Sequence, residues 1–169
     1  MAKLFSDDIV IPEMFENETQ QPQAVSPLSL HALLNKTMQN LEEQLEVFFQ
    51  QWGITTGRFE ILSLLRKEKA GITPSNIAKS VGVTNATISA ILSGLKEAGL
   101  IQSEQNAGDS RSYRVQLSQN GVNLMNQICP VYEENIARMW SQFETNEKTY
   151  LETVFKKINQ ALPVMGKRN

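Results

Sequence analysis

The 169-residue sequence contains one cysteine, Cys129, and one histidine, His31. A single thiol rules out a disulfide within the chain and points to a reducing compartment. One Cys and one His also fall short of the nitrogen and sulfur donors of a conventional zinc site, leaving only carboxylates such as Glu42, Glu43 and Glu46 to consider. No apolar run approaches the roughly 18 residues that span a bilayer. The N-terminus lacks the apolar core of a signal peptide, so a cytoplasmic chain with no membrane contact is expected. A Gly-rich phosphate loop, a nucleophile elbow and a paired-carboxylate motif are missing too. The expectation is a protein that is not an enzyme and needs neither cofactor nor metal.

Charge of either sign is sparse as well: the formal net charge is −2, and 20% of residues are charged against 41% apolar. That balance suits a globular soluble protein, and the net charge taken alone argues against a nucleic-acid binder. The distribution is uneven, however. Residues 55–117 hold eight Lys and Arg against five acids, whereas the rest holds eight against thirteen. A locally attractive face on an acidic molecule follows.

Residues 1–27 form an acidic extension with Asp7, Asp8, Glu13, Glu16 and Glu18 and a Gln/Pro stretch. It buries too little to offset its ordering entropy by itself. A flexible tail and an arm packed on a dimer both stay open. From Ser26, Leu30, Leu34, Met38, Leu41, Leu45, Phe48 and Trp52 recur at helical spacing, predicting a long amphipathic helix that starts at Pro27 and stops at Gly53. Thr55 or Thr56 is placed to cap a second helix. A third long helix is expected from a Ser118 cap to about Gln142, and a fourth from a Thr145 cap to just before Pro163.

Between them lies the segment that matters most. Thr73-Pro74 offers a capping hydroxyl and a proline at the first helical position, where its missing N–H costs nothing. Gly82 ends that short helix, Thr84 caps the next, and Ile88, Ile91, Leu92 and Leu95 give its inner face. Gly99 suits the left-handed residue that ends it. Leu100–Gln105 and Tyr113–Leu117 then alternate as short strands around a polar loop, Asn106–Ser112. A helix-turn-helix followed by a hairpin is a device for gripping duplex DNA. The predicted fold is mainly α with a small β-hairpin wing.

The order of elements, with ITTGRFEILSLL, TPSNIAKSVGVTNATISAILSGLKEAGLI and DSRSYRVQLSQNG, resembles the MarR family of bacterial transcription regulators. The Asp-x-Arg wing followed by a Ser-x-x-Gly helix start is the most specific part. The resemblance implies a homodimer with 28–53 and 118–162 as its helical dimerisation region. Residues 54–117 are then a winged helix-turn-helix lobe. It also implies a repressor that binds a pseudo-palindromic operator in double-stranded DNA and responds to a small aromatic or anionic ligand. A two-fold dimer places half-sites about one helical turn apart. The terminal helices agree independently, since their apolar stripes are too broad for one such chain to cover.

Two departures from the family pattern stand out. The second helix of the motif has no basic residue before Lys96, and Ser110 stands where a further arginine is common. The residues expected at the groove are Thr84, Asn85, Thr87, Ser89, Ala90 and Ser93. Asn85 is suited to adenine, and the Thr87 and Ala90 methyls to thymine. Ser75 and Asn76 are expected on phosphate along with free backbone N–H groups. Arg111 and Arg114 are the wing cations, with Asp109 orienting Arg111. Pocket candidates are His31, Trp52, Arg58, Phe59 and Tyr132, each of which also fits a structural role. Cys129, beside Pro130, reads as a buried, inert thiol. The competing readings are a winged-helix protein-interaction module without DNA binding and a redox-responsive regulator using Cys129.

Overall fold

A computed structural model describes residues 25–106 and 109–166, except for the side chains of 106–112. Residues 1–24 of the acidic extension therefore lie outside the described residues. The chain divides into two compact units, one ending at Ile61 and the other beginning at Leu62.

The first unit is built on α1 (Pro27–Gln50) and the start of α2 (Thr56–Lys67). Ser26 Oγ accepts from the Ser29 N–H at 3.1 Å, so the predicted start is exact to the residue. The helix stops at Gln50, not Gly53. Beyond Gln51, the N–H groups of Trp52 and Gly53 fold back onto the Phe49 and Gln50 carbonyls in a tight turn. Thr55 Oγ1 accepts from the Arg58 N–H at 3.3 Å and so caps α2. A second cap comes from α1: Glu46 Oε2 accepts from the Thr56 N–H at 3.0 Å and from its hydroxyl at 2.9 Å. These two donors, the backbone one foremost, hold the Glu46 carboxyl below the usual glutamate range. Beside them Phe49 stacks on Phe59 with ring centroids 4.2 Å apart.

The second unit runs from the rest of α2 through α3 (Pro74–Val81), α4 (Asn85–Glu97), β1 (Ile101–Asn106), β2 (Asp109–Leu117), α5 (Gln119–Trp140) and α6 (Thr145–Ala161) to a short 3-10 turn at Leu162–Val164. Its core gathers Leu62, Leu65, Ile77, Ile88, Leu92, Leu95, Ile101, Val115, Met125 and Ile128, all buried. Ile91, expected with them, is only half-buried. β1 and β2 pair antiparallel from Ile101 opposite Leu117 to Gln105 opposite Tyr113, and a bulge then sets Asn106 opposite Asp109. The hairpin is thus longer than the alternation suggested. Polar residues at 109–112 read as loop, but backbone pairing does not need apolar side chains at the tip of a ribbon. A further bridge joins Ile72 to Val115 and fastens β2 to the chain entering α3.

The start of α5 explains the Ser-x-x-Gly signature. Ser118 Oγ accepts from the Gly121 N–H at 3.1 Å and donates to the Gly99 carbonyl at 2.6 Å. A Cβ on Gly121 would collide with the Leu100 carbonyl oxygen, so only glycine lets the helix pass this close. Four other expectations need correction. Thr73 makes no side-chain capping bond; its hydroxyl instead lies 3.4 Å from that of Ser75. α6 is capped by Glu144, whose N–H donates to the Glu147 carboxylate at 2.7 Å, and Thr145 is merely its first residue. Cys129 is half-buried, not buried, and α5 ends at Trp140.

The terminal helices look different. Phe49 is the only buried residue of α1, while Leu28, Leu30, Leu33, Met38, Leu41 and Val47 are exposed. α6 has no buried residue. None of the described helices is long and apolar enough to cross a membrane.

Candidate nucleic-acid interface

α3 and α4 are joined by the shortest of turns. Gly82 closes α3 in the left-handed conformation, φ 78°, and two residues later Thr84 opens α4. Thr84 Oγ1 accepts from the Thr87 N–H at 3.1 Å. Ile88, Leu92 and Leu95 anchor α4 to the core, so the opposite face is fixed by geometry. Thr84, Asn85, Thr87, Ser89, Ala90 and Ser93 are all exposed. Ala90 and Ser93 lie opposite Ile88, Thr87 and Ser89 flank it, and Thr84 and Asn85 stand at the open N-terminal end of the helix.

Their hydrogen bonds separate them. The Thr87 hydroxyl is 2.9 Å from that of Thr84, Ser89 Oγ donates to the Asn85 carbonyl at 2.9 Å, and Ser93 Oγ donates to Glu97 at 3.1 Å. These hydroxyls are already engaged within the helix. Among the described residues, the Asn85 carboxamide meets no hydrogen-bond partner. At the first position of α4 it presents two donors and an acceptor to solvent.

Ser75 and Asn76 are exposed on the first turn of α3, as expected. The Asn76 N–H is not free, however: it donates to the Thr73 carbonyl at 3.0 Å, closing the turn that Pro74 begins. Any anion contact from Asn76 must come from its side chain. One helical turn on, Lys79 lines the same groove of about 440 Å³ as Asn76, Glu68 and Arg114. Sequence reasoning passed over Lys79, although its i, i+3 spacing from Asn76 was available to find it.

The wing carries Asp109 and Arg111 in the backbone of β2, but their side chains lie outside the described residues. Arg114 has a partner within the fold. Its guanidinium Nη1 donates to the Gly71 carbonyl at 2.9 Å. Tyr113 is exposed and Val115 buried, so the two do not share an environment despite their common face. Between α4 and the hairpin, a cavity of about 420 Å³ is lined by Ser89, Ser93, Lys96, Ser103 and Tyr113 over Leu92 and Val115.

The ligand-pocket candidates are not drawn together in either cavity. Phe59 is a correction: it is 8% exposed and its ring is stacked on Phe49, which makes it core and not a pocket wall. His31 is exposed on α1 with a ring nitrogen 3.0 Å from the Asn35 amide. Trp52, Arg58 and Tyr132 are half-buried. Glu46, once a metal candidate, is engaged by Thr56.

Residues 54–113 match the model of the MarR family. The chain is 28% identical over 140 residues to the HTH-type transcriptional regulator PecS of Dickeya dadantii, spanning 82% of this chain and 84% of that one. It is also 28% identical over 122 residues to the HTH-type transcriptional repressor YetL of Bacillus subtilis, spanning 72% and 73%. The fold is that of S. aureus MepR in its DNA complex, with a TM-score of 0.71 at 22% identity over 78% of this chain and 96% of that one.

Proposed function

We propose that the chain is a member of the MarR family and a dimeric, sequence-specific DNA-binding regulator of transcription, acting as a repressor in the cytoplasm. One observation carries the reading. Thr84, Asn85, Thr87, Ser89, Ala90 and Ser93, at the open end and outer side of α4, are all exposed and short, on a helix fixed to the core by Ile88, Leu92 and Leu95. A helix so armed enters a major groove closely and reads base edges through Asn85 and methyl contacts.

Ser75, Asn76 and Lys79 on α3 supply phosphate contacts that set register, and Arg111 supplies the wing cation. The exposed apolar residues of α1 and α6 support a homodimer formed by residues 28–53 and 118–162, with 54–117 as the DNA-binding lobe. Its two-fold axis matches a pseudo-palindromic operator. A small ligand that prefers one spacing of the two recognition helices would release DNA; half-buried Trp52 and Arg58 are the side chains retained for that role. The protein is a regulator and not an enzyme.

The test is a salt titration on duplexes selected by the wild-type protein from a random pool. Asn85→Ala should cost about 1–3 kcal/mol and relax preference at one base position. Arg111→Ala should weaken all sequences alike and lower the log–log salt slope by roughly 0.9. A wild-type protein with no salt-dependent affinity for any duplex would refute the regulator reading. Equal, sequence-independent losses in both variants would refute base readout by Asn85.

A further inference from the structure

We infer that Arg114 is a positioning residue that fixes the wing against the start of α3, and is not a phosphate ligand. The inference rests on the DNA-binding reading above and assigns one side chain within it. Three hydrogen bonds join the middle of β2 to the three-residue approach to α3. The Ile72 N–H donates to the Val115 carbonyl at 3.0 Å, the Val115 N–H returns to Ile72 at 2.9 Å, and Arg114 Nη1 reaches the Gly71 carbonyl at 2.9 Å. The first two form a single backbone bridge, which leaves the strands free to swivel. The third, offset by one residue on both sides, resists that swivel.

Gly71 is shaped for this contact. It is buried, its φ is +75°, and an added Cβ would lie 3.2 Å from both Arg114 Cβ and the Val115 carbonyl oxygen. β2 therefore passes directly over the Gly71 backbone, which aims its carbonyl at the guanidinium. Thr73 and Pro74 follow at once, and with them Ser75 and Asn76. A shift of the wing relative to Gly71 thus displaces the residues that meet DNA from α3. Arg114 couples two DNA-facing elements through a backbone acceptor.

The experiment compares wild type, Arg114→Met, Arg114→Lys and Gly71→Ala on the selected duplex across salt, with Arg111→Ala as the reference for a true phosphate contact. Arg114→Met should weaken binding about tenfold with the salt slope unchanged, and Arg114→Lys, which keeps a donor of similar reach, should recover most of that loss. Gly71→Ala leaves every charge in place, yet should reproduce the loss at unchanged slope. In DNA-free protein, amide exchange at Ile72 and Val115 should quicken in Arg114→Met and recover in Arg114→Lys. A slope lowered by roughly 0.9 in Arg114→Met, as a released phosphate contact requires, would overturn the inference. So would full affinity in both Arg114→Met and Gly71→Ala. Wild type that binds no duplex at any salt would instead defeat the functional reading, before any variant is compared.

Discussion

α4 buries Ile88, Leu92 and Leu95 in thirteen residues, whereas α1, at twenty-four, buries only Phe49. Both helices carry an apolar stripe at the same period. What differs is what covers it: α4 packs on α3 and β1, while Leu30, Leu33, Met38 and Leu41 of α1 stay exposed. α6 goes further, with Tyr150 at 71% and Phe155 at 44% exposure. Stripes of this kind suit a surface that a second chain covers. The region from α3 to the hairpin buries its apolar faces within one polypeptide, and α1 and α6 leave theirs exposed.

The largest effects should fall on the buried side. Leu95→Ala removes a fully buried side chain and should cost about 2–5 kcal/mol by lost transfer energy and cavity formation. Thermal melts at several protein concentrations should show the same deficit at each. A deficit that shrinks as concentration rises would mean that the lobe, too, depends on assembly.

Next in size is the matching change on the exposed side. Leu33→Ser together with Leu41→Ser removes apolar surface that is already exposed, at 46% and 44%, so folding of the single chain should hardly change. The dimer should instead loosen by tenfold or more in sedimentation equilibrium, since each apolar side chain buried at an interface contributes on the order of 1–3 kcal/mol. Unchanged association would break the contrast and leave the α1 stripe without its occupant.

The same contrast governs how much was legible beforehand. Pro27 acts locally through its fixed φ, and Thr84, Gly82 and Ser118 through cap bonds within four residues, although Ser118 also reaches Gly99; each sits where capping chemistry placed it. Glu144 was passed over for Thr145 because both precede an apolar stripe and only the reciprocal bond to Glu147 distinguishes them. The reach of Arg114 to Gly71 spans 43 residues, and no periodicity carries such a contact. Side-chain alternation put Arg114 on the outer face of β2 correctly, but not what that face meets. Likewise, the exposure of Ala90 and Ser93 was readable from the inner face of α4, whereas the engagement of the Thr87, Ser89 and Ser93 hydroxyls was not. Nor could helical spacing reveal that Phe59 stacks on Phe49.

The smallest expected effect sharpens the comparison at its weakest point, where α1 does make a specific contact. Glu46 accepts two bonds from Thr56, and these lower its carboxyl's affinity for protons in the folded state. A depressed folded value means that the contribution is complete above the usual glutamate range and disappears as pH falls through that range and past the lowered value. Glu46→Gln should therefore melt below wild type at neutral pH, and the two curves should converge in acid. Glu152 in α6 offers the control, because its carboxyl is lowered by the hydrogen bond and charge of Lys156, across an exposed pair. Salt screens such a pair, so the deficit of Glu152→Gln should shrink as ionic strength rises. That of Glu46→Gln, whose partners in Thr56 are neutral, should persist. A Glu46 deficit that is flat with pH, or that salt abolishes, would mean that the α1–α2 cap is an ordinary surface contact and that α1 is held no more specifically than α6.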